Sequence, residues 1–261
     1  MSNPQPLAMV TGASSGIGAA FARRLSRDGY RPILVARRAG LLEDLARELG
    51  GAETLVADLT VEEDLRCVEA RIAAAAADLD LLVNNAGFGL AGRFYETPVE
   101  GHTRMHSLHV CATMRLSHAA LRGMTARGKG ALINVSSVAS FSQSPGSVSY
   151  CATKAWMTSF TEGLHLDLLS AGSPVRVQAL CPGFTYSEFH DVMGMDRGSI
   201  PKWLWCTAEE VVAASLKGLA KGKVVVIPGL FYRALVRAMR WVPRFAFYRM
   251  AVVYGRHRKG V

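Results

Sequence analysis

The fold is decided by the stretch Leu7-Ala8-Met9-Val10-Thr11-Gly12-Ala13-Ser14-Ser15-Gly16-Ile17-Gly18. Its apolar start, Leu7–Val10, has the length of a buried strand, and a helical pattern begins at Gly16. Glycines at such a turn let the backbone bend sharply and approach a pyrophosphate, while the start of the helix supplies unpaired N–H groups and a favourable dipole. Glycines also occur in tight turns for steric reasons alone. The position of this glycine-rich turn, directly after the first strand, is therefore what favours a dinucleotide site.

Outward from this turn, apolar runs of strand length alternate with helical patterns. Near-continuous apolar strands separated by helices indicate a parallel sheet that is covered on both faces. The sequence therefore predicts a doubly wound, Rossmann-type α/β fold of about seven strands. The predicted strands are Leu7–Val10, Pro32–Ala36, Thr54–Ala57, Leu79–Val83, Ala131–Val135, Val175–Leu180 and Val224–Ile227. The predicted helices are Gly16–Asp28, Gly40–Leu49, Glu62–Ala76, Glu100–Met124, Val148–Ser170 and Ala208–Ala220.

The composition fits one domain with a basic end. The chain has 261 residues, of which 50% are hydrophobic, enough for one large core. Eleven of its 30 Lys and Arg residues lie between Val211 and Val261, whereas none of its 21 Asp and Glu residues lies there. We expect a Rossmann-type domain over residues 1–228, continued by a basic, aromatic helical extension of the same domain over residues 229–261. The near-neutral body argues against nucleic acid as a partner.

Cysteines and apolar runs indicate the compartment. The five cysteines are scattered, with no Cys-x-x-Cys pair and no zinc-like His spacing, so we expect reduced thiols and no metal. Residues 1–6 lack the basic and apolar regions of a secretory signal. No uninterrupted apolar run reaches the roughly 18 residues of a spanning helix. These features predict a cytoplasmic protein whose membrane contact, if it has one, is peripheral.

The end of the second predicted strand selects the dinucleotide. An acidic residue there would hold the ribose 2′-hydroxyl of NADH, but this chain has Arg37 and Arg38. Two guanidinium groups suit a 2′-phosphate, whereas a solvated basic pair at a helix start would face the dipole unfavourably. The pair therefore predicts NADPH. Asp58, after the third strand, fits two roles that do not exclude each other: contact with the adenine edge or capping of the next helix.

Tyr150 and Lys154 stand four residues apart in a helical pattern, so both side chains project from one face. A phenol has an unperturbed pKa of about 10, and a neighbouring ammonium lowers that pKa toward a range useful for proton transfer. Alone, Tyr-x-x-x-Lys is more often an ordinary surface pair. Here two successive strand ends carry Ser137 and Pro182-Gly183, and such ends face one crevice, so that Ser137 and Tyr150 can converge on one carbonyl oxygen.

These features together resemble a classical short-chain dehydrogenase/reductase. The matching elements keep the family's order and spacing over roughly residues 7–190, a far more specific signal than any single motif. They are the Thr11–Gly18 turn, Asp58, Asn84-Asn85-Ala86-Gly87, Ser137, Tyr150-Cys151-Ala152-Thr153-Lys154 and Pro182-Gly183-Phe184-Thr185. The resemblance implies an NADP(H)-dependent oxidoreductase acting on the carbonyl or alcohol of a small molecule, and a homodimer or homotetramer paired through the helices that contain His109 and Tyr150.

The resemblance also implies roles for single residues. Tyr150 would be the general acid, Ser137 would hydrogen-bond the substrate oxygen, and Lys154 would bind the nicotinamide ribose and favour the ionised form of Tyr150. Thr185 and Ser187 would meet the nicotinamide end. The implied cofactor contacts are Gly12, Ser14, Ser15, Gly16, Ile17, Gly18, Arg37, Arg38, Asp58, Leu59, Asn85, Tyr150, Lys154, Pro182, Gly183 and Thr185.

One position departs from the family pattern. The family usually has an Asn in the long fourth helix that completes a proton relay from the lysine through water, and His109 stands there. If that Asn acts through its backbone carbonyl at a helix irregularity, His109 preserves the water site, and a His can also shuttle protons near neutral pH. If the Asn side chain is needed, turnover suffers. His102, His106 and His109 share one helical face, but without a carboxylate or Cys beside them we expect packing rather than a metal site.

The tail combines arginines with aromatic residues. Arg233, Arg237, Arg240 and Arg244 recur at helical spacing, and Pro243 would kink or divide the helix. A basic amphipathic helix with aromatic content suits an anionic membrane surface. The same pattern also suits packing over a substrate pocket or against a partner subunit, with solvated arginines.

The substrate is expected to be apolar. Its pocket roof would come from residues 186–207, where Phe189, Met193, Met195, Trp203, Leu204 and Trp205 suit an apolar ligand, although core packing explains them equally well. A second function stays open: an NADP-binding regulatory or scaffold protein with weakened catalysis, suggested by His109 and the tail.

Overall fold

The computed structural model describes residues 5–187 and 200–257. These residues form one parallel sheet with the strand order β3-β2-β1-β4-β5-β6-β7, which confirms the predicted doubly wound α/β fold. Because the order reverses between β1 and β4, a crevice opens there at the carboxyl ends of the strands. The strands are β1 (Leu7–Thr11), β2 (Arg31–Ala36), β3 (Glu53–Val56), β4 (Leu79–Asn84), β5 (Ala131–Val135), β6 (Arg176–Leu180) and β7 (Val225–Val226).

Helices cover both faces of the sheet. They are α1 (Gly16–Arg27), α2 (Ala39–Glu48), α3 (Glu62–Ala74), α4 (Val99–His106), α5 (Thr113–Arg127), α6 (Val148–Ser170), α7 (Ala208–Ala220), α8 (Leu230–Met239) and α9 (Arg244–His257). The apolar core is divided by the sheet into two layers. One contains Phe21, Leu25, Leu42 and Val211 from α1, α2 and α7, and the other contains Leu65, Ile72, Leu116 and Leu168 from α3, α5 and α6.

Most strands differ from their predicted bounds by one residue at one end, and the two edge strands differ most. β3 begins and ends one residue earlier than predicted, and β7 pairs over only two residues instead of four. Both strands lie at the edges of the sheet and have a neighbour on one side only. Their ends are therefore set by a single ladder of hydrogen bonds, which an apolar run does not specify.

The predicted helix Glu100–Met124 is interrupted. It runs as α4, a π-helical turn at Ser107–Ala112 and α5, and this wide turn contains His109. Periodicity does not reveal one extra residue in a helix, and such turns are frequent at functional sites.

The tail forms two helices. Residues 240–243 separate α8 from α9, as Pro243 predicts. Among the described residues, no helix is long and apolar enough to cross a bilayer.

Candidate active site

The turn after β1 fits a pyrophosphate. Gly12 and Gly16 have φ of +65° and +55°, in the left-handed region that favours glycine. A Cβ on Gly18 would lie 2.2 Å from the Gly12 carbonyl oxygen, so Gly18 permits the close packing of α1 on the turn. The Ser15 side chain precedes α1 but caps none of its N–H groups. The start of α1 therefore keeps donors for an anion at the cavity wall formed by Gly16 and Ile17.

Two arginines border this turn. The Arg38 guanidinium donates to the hydroxyls of Ser14 at 3.0 Å and Ser15 at 2.9 Å. Arg37 Nη1 lies 3.6 Å from a carboxylate oxygen of Asp58. Two guanidinium groups stand together at this corner of the cavity, and their charge and forked N–H geometry fit the 2′-phosphate of NADPH.

Asp58 lies at the cavity wall and does not cap α3, so the capping alternative was wrong. The residue before α3 is Val61, and Asp58 Oδ1 instead accepts hydrogen bonds from the backbone N–H of Thr60 at 3.0 Å and from its hydroxyl at 2.7 Å. Burial raises the pKa of Asp58, but the Thr60 hydrogen bonds and the charges of Arg37 and Arg104 outweigh it and hold this pKa below its ordinary value. The carboxylate is therefore ionised at neutral pH.

Asn85 joins the end of β4 to the glycine turn. Its Nδ2 donates to the carbonyl oxygens of Thr11 at 2.9 Å and Gly12 at 3.2 Å, and its backbone N–H donates to the Thr11 hydroxyl at 3.0 Å. Asn85 thus fixes the turn while it lines the cavity.

Ser137, Tyr150 and Lys154 meet at the carboxyl end of β5. The Ser137 hydroxyl hydrogen-bonds the Tyr150 side chain. Lys154 Nζ donates to the Val135 carbonyl oxygen at 2.8 Å and lies 5.8 Å from the centroid of the Tyr150 ring. The Ser136 hydroxyl donates to the Lys154 carbonyl oxygen at 2.8 Å, which ties α6 to β5 and fixes the lysine in place.

Burial dominates the acidity of this pair. It raises the pKa of Tyr150 to about 12, although the hydrogen bond with Ser137 opposes the rise. Burial likewise lowers the pKa of Lys154 to about 8. The sequence led us to expect that Lys154 lowers the pKa of Tyr150, and the structure differs because both groups are removed from water. Tyr150 is therefore a protonated phenol at neutral pH, while Lys154 is largely charged.

His109 is fully buried and has a partner on each ring nitrogen. Its Nε2 accepts from the Phe88 N–H at 3.1 Å, so Nδ1 carries the proton and donates to the Thr153 hydroxyl at 3.0 Å. Burial and the charges of Lys154 and His106 hold the pKa of His109 well below 6.5. A neutral ring with both nitrogens occupied is a poor proton shuttle, so the structure favours a positioning role.

The three histidines of this segment do not converge. His102 Nε2 lies 2.7 Å from the Thr97 hydroxyl, His106 is exposed, and His109 has the partners given above. Within residues 5–187 and 200–257, no group of three or more His, Cys, Asp or Glu side chains could hold a metal ion.

One cavity of about 510 Å³ unites these elements. Of the catalytic and cofactor-binding residues that the sequence predicted, all except Gly18 and His109 line it. Sequence reasoning missed several other residues that line the cavity, because no motif marks the loops and short helical turns that carry them. They are Phe88, Leu108, Val138, Ser142, Ser144 and Ser147.

Tyr232 of α8 supports the backbone of Gly183 and Phe184, which line this cavity. Its hydroxyl accepts from the Phe184 N–H at 3.1 Å and donates to the Leu204 carbonyl oxygen at 2.7 Å. Its ring fills the space beside Gly183, where a Cβ would come within 2.2 Å of it. Nothing in the sequence marked Tyr232, because its partners are backbone groups far away in the chain.

The predicted pocket roof is only partly described. Phe189, Met193 and Met195 lie outside the described residues. Trp205 is buried and stacks on Tyr186 with ring centroids 4.8 Å apart, whereas Trp203 is 67% exposed. The roof therefore contains both a core residue and a surface residue.

A family model described as short chain dehydrogenase matches residues 6–197. This match covers the glycine turn, Ser137, Tyr150 and Lys154. The chain belongs to the short-chain dehydrogenase family. It is 32% identical to mouse dehydrogenase/reductase SDR family member 11 over 224 residues, which are 80% of this chain and 86% of that protein. This short-chain dehydrogenase is therefore an enzyme of the nicotinamide-dependent oxidoreductase class.

Two solved structures of the family resemble it closely. A short-chain dehydrogenase from Sphingobium yanoikuyae in complex with NADPH has a TM-score of 0.82 and 37% identity, over 90% of this chain and 93% of that one. The bulky-bulky ketone specific alcohol dehydrogenase from Comamonas testosteroni has a TM-score of 0.78 and 32% identity, over 92% of this chain and 95% of that one.

Proposed function

We propose that this short-chain dehydrogenase reduces the carbonyl group of an apolar small molecule with NADPH, and oxidises the alcohol in the reverse direction. The observation that carries the proposal is the convergence of Ser137 and Tyr150 in the same cavity as the glycine turn. The buried Lys154 ammonium, 5.8 Å from the Tyr150 ring centroid, completes the set.

Tyr150 acts as the general acid in reduction. Its raised pKa keeps the phenol protonated at neutral pH. As its O–H bond breaks, the proton passes to the substrate oxygen, to which the Ser137 hydroxyl donates a hydrogen bond. A bound NADPH supplies the hydride that the carbonyl carbon accepts. Lys154 stabilises the phenolate that remains, because a nearby ammonium favours the charged form.

The test is Tyr150→Phe, which removes the proton and keeps the ring. We expect turnover to fall by about 10²- to 10⁴-fold, as for the loss of a general acid, with unchanged affinity for NADPH. NADPH fluorescence titration measures binding, and cofactor oxidation with a ketone panel measures turnover. Tyr95→Phe, at a tyrosine that is 77% exposed and does not line the cavity, is the matched control. Normal turnover by Tyr150→Phe would exclude this mechanism.

The preference for NADPH is proposed from Arg37 and Arg38, and the NADPH complex of the Sphingobium protein supports it. Arg38→Ala removes a charged donor, a loss of about 1.5–3 kcal/mol, so the Kd for NADPH should rise about tenfold or more. The Kd for NADH should change little. Arg47→Ala, at the exposed far end of α2, is the control. Equal losses for both dinucleotides would contradict the assignment.

The apolar substrate is proposed from the loop side of the cavity, where Phe88, Leu108, Val138 and Phe184 supply apolar walls. The ketone specificity named for the Comamonas enzyme supports a spacious pocket. Each buried methylene contributes about 0.8 kcal/mol, so kcat/KM should rise about fourfold per added methylene along a ketone series until the pocket is full. A series in which kcat/KM is flat from the shortest ketone onward would oppose an apolar site.

We further propose a homo-oligomer that pairs through α5 and α6, as the family resemblance implies. Exposed Met114, Leu166 and Leu169 on these helices support it. Light scattering of Leu166→Lys together with Leu169→Lys should show a smaller assembly than the unmodified chain.

A regulatory or scaffold protein with weakened catalysis is not favoured. The Ser137, Tyr150 and Lys154 set is complete, and the relatives are dehydrogenases. Tight NADPH binding without turnover of any ketone or aldehyde would restore that alternative.

A further inference from the structure

The surface of α8 and α9 is unusually apolar for an exposed region. We call it the tail face and define it by side chains that are each more than half exposed: Leu230, Trp241, Phe245, Met250 and Val253. Trp241 is the most exposed of the five, at 89%. Single exposed apolar residues are ordinary, but a concentration of them along two successive helices marks an interaction surface.

Helical geometry separates the inner side of α8 from its outer side. Tyr232 and Val236 are buried against the body of the protein. Arg233, Arg237 and Arg240 follow at intervals of four and three residues and are exposed, so they form one stripe beside the buried side. α8 therefore adheres to the protein by one side and presents a row of guanidinium groups along another.

The charge of the tail face is of one sign. From Val211 to Val261 the chain has no Asp or Glu, so no carboxylate of its own segment neutralises these arginines. Arg244 lies over the Tyr248 ring at 6.0 Å from its centroid, a contact that leaves the positive charge in place. Apolar side chains and unneutralised cations thus share this surface.

Anionic lipid is the occupant that fits both properties. Arginines gain from the negative potential of acidic headgroups, and exposed Trp, Phe and Tyr rings suit the boundary between headgroups and acyl chains. A second copy of the chain would bring an identical cationic stripe against this one, and like charges across an interface are unfavourable. Nucleic acid would use the arginines but leave aliphatic Leu230 and Val253 exposed to water.

The helix α8, which carries Leu230 of the tail face, also adjoins the cavity mouth. α8 contacts the Val138–Phe141 turn, whose first residue lines the cavity, and Tyr232 of α8 holds the Phe184 backbone at the rim. Phe231 packs edge-on against exposed Trp203, with ring centroids 4.9 Å apart. A membrane against the tail face therefore lies beside the entrance of the cavity.

We propose that the tail face docks this enzyme on an anionic bilayer, so that an apolar substrate enters the cavity from the lipid. The docking step is inferred from the residues of the tail alone. The delivery step rests on the apolar substrate proposed above.

Docking is tested by flotation of the full-length chain with vesicles of phosphatidylcholine alone or with added phosphatidylserine. We expect binding to the anionic vesicles that weakens as salt is added. Each arginine near such a surface contributes about fivefold, so Arg237→Gln together with Arg240→Gln should lower the partition coefficient by at least about tenfold. The control is Lys221→Gln together with Lys223→Gln, which removes the same charge from exposed positions after α7, at the opposite end of the sheet. Trp241→Ser should also weaken binding.

Several results would overturn docking. One is equal binding of the arginine variant and the lysine control; another is no binding to either type of vesicle. A change in oligomeric state in the tail variants would assign the face to a second copy, and retention by RNA with equal salt dependence would assign it to nucleic acid.

Delivery is tested separately, with a long-chain ketone dissolved in the vesicles and a short ketone in water. We expect the arginine variant to lose turnover of the lipid-borne ketone while it keeps turnover of the soluble one. Loss of both would indicate a damaged site, and retention of both would overturn delivery. If the unmodified chain turned over neither ketone but still bound anionic vesicles, the proposed function would fail and docking would stand.

Discussion

Replacement of Lys154 by Met should stabilise the folded chain at neutral pH while it removes turnover. Burial lowers the pKa of Lys154 from 10.5 to about 8, so the folded chain holds this proton less tightly than the unfolded chain does. The difference corresponds to about 3.4 kcal/mol of lost stability at pH 7. The hydrogen bond from Nζ to the Val135 carbonyl oxygen offsets about 2 kcal/mol of it. The Met variant should therefore be more stable by about 1.4 kcal/mol at pH 7.

The sign of the pH dependence follows from the lowered pKa. The cost of burying the charged lysine is complete below the folded pKa of about 8 and disappears as the pH rises to the unfolded value of 10.5. The advantage of the Met variant should therefore shrink by about 1.4 kcal/mol between about pH 7 and about pH 9. Burial raises the pKa of Tyr150 to about 12 and that of Cys181 to about 11, and loss of the Lys154 charge raises the Cys181 value further. Both groups therefore stay protonated in both folded proteins up to about pH 9, and their contributions cancel in the comparison.

Urea unfolding of both proteins without cofactor, at the two pH values, measures this difference. Lys217→Met, at an exposed lysine, controls for the loss of one positive charge. A stability difference that does not change with pH would refute the reasoning, because the buried charge would then not control stability. A Met variant that is equally active would refute the proposed role of Lys154 in catalysis.

Three further changes test how the site is held together. Gly183→Ala places a methyl group within 2.2 Å of the Tyr232 ring and should cost about 1–3 kcal/mol by thermal unfolding, whereas the same change in a Tyr232→Leu background, where the ring is absent, should cost less. His109→Leu leaves the Phe88 N–H without its acceptor and should lower the free energy of unfolding by about 1–3 kcal/mol. A His with a lowered pKa makes the folded chain less stable as the pH falls below about 6.5, and this loss of stability should be absent from the Leu variant. Thr207→Ala removes the capping box of α7 and should cost about 1 kcal/mol, measured by urea unfolding, whereas Thr207→Ser should cost less.

Much of the site follows from local sequence. A glycine turn after a strand, Arg37 and Arg38 at the next strand end, and Tyr150 and Lys154 on one helical face are relations between residues close together in the chain. A parallel sheet brings the carboxyl ends of its strands to one edge, so the sequence alone predicts that Ser137 lies beside Tyr150. The amphipathic tail and its division at Pro243 follow from periodicity in the same way.

The tertiary structure decided what depends on burial and on distant backbone groups. The pKa values of Tyr150 and Lys154 move away from each other because both are withdrawn from water, which residue types at a given spacing do not reveal. His109 is a fixed, neutral ring because Phe88 and Thr153 occupy its two nitrogens in a π-helical turn. Tyr232 joins the tail to the cavity rim through backbone atoms of Phe184 and Leu204, and every residue type offers such atoms equally. Sequence pattern therefore determined the fold and the identity of the reacting groups, while packing determined their protonation, their partners and the place of the tail beside the cavity.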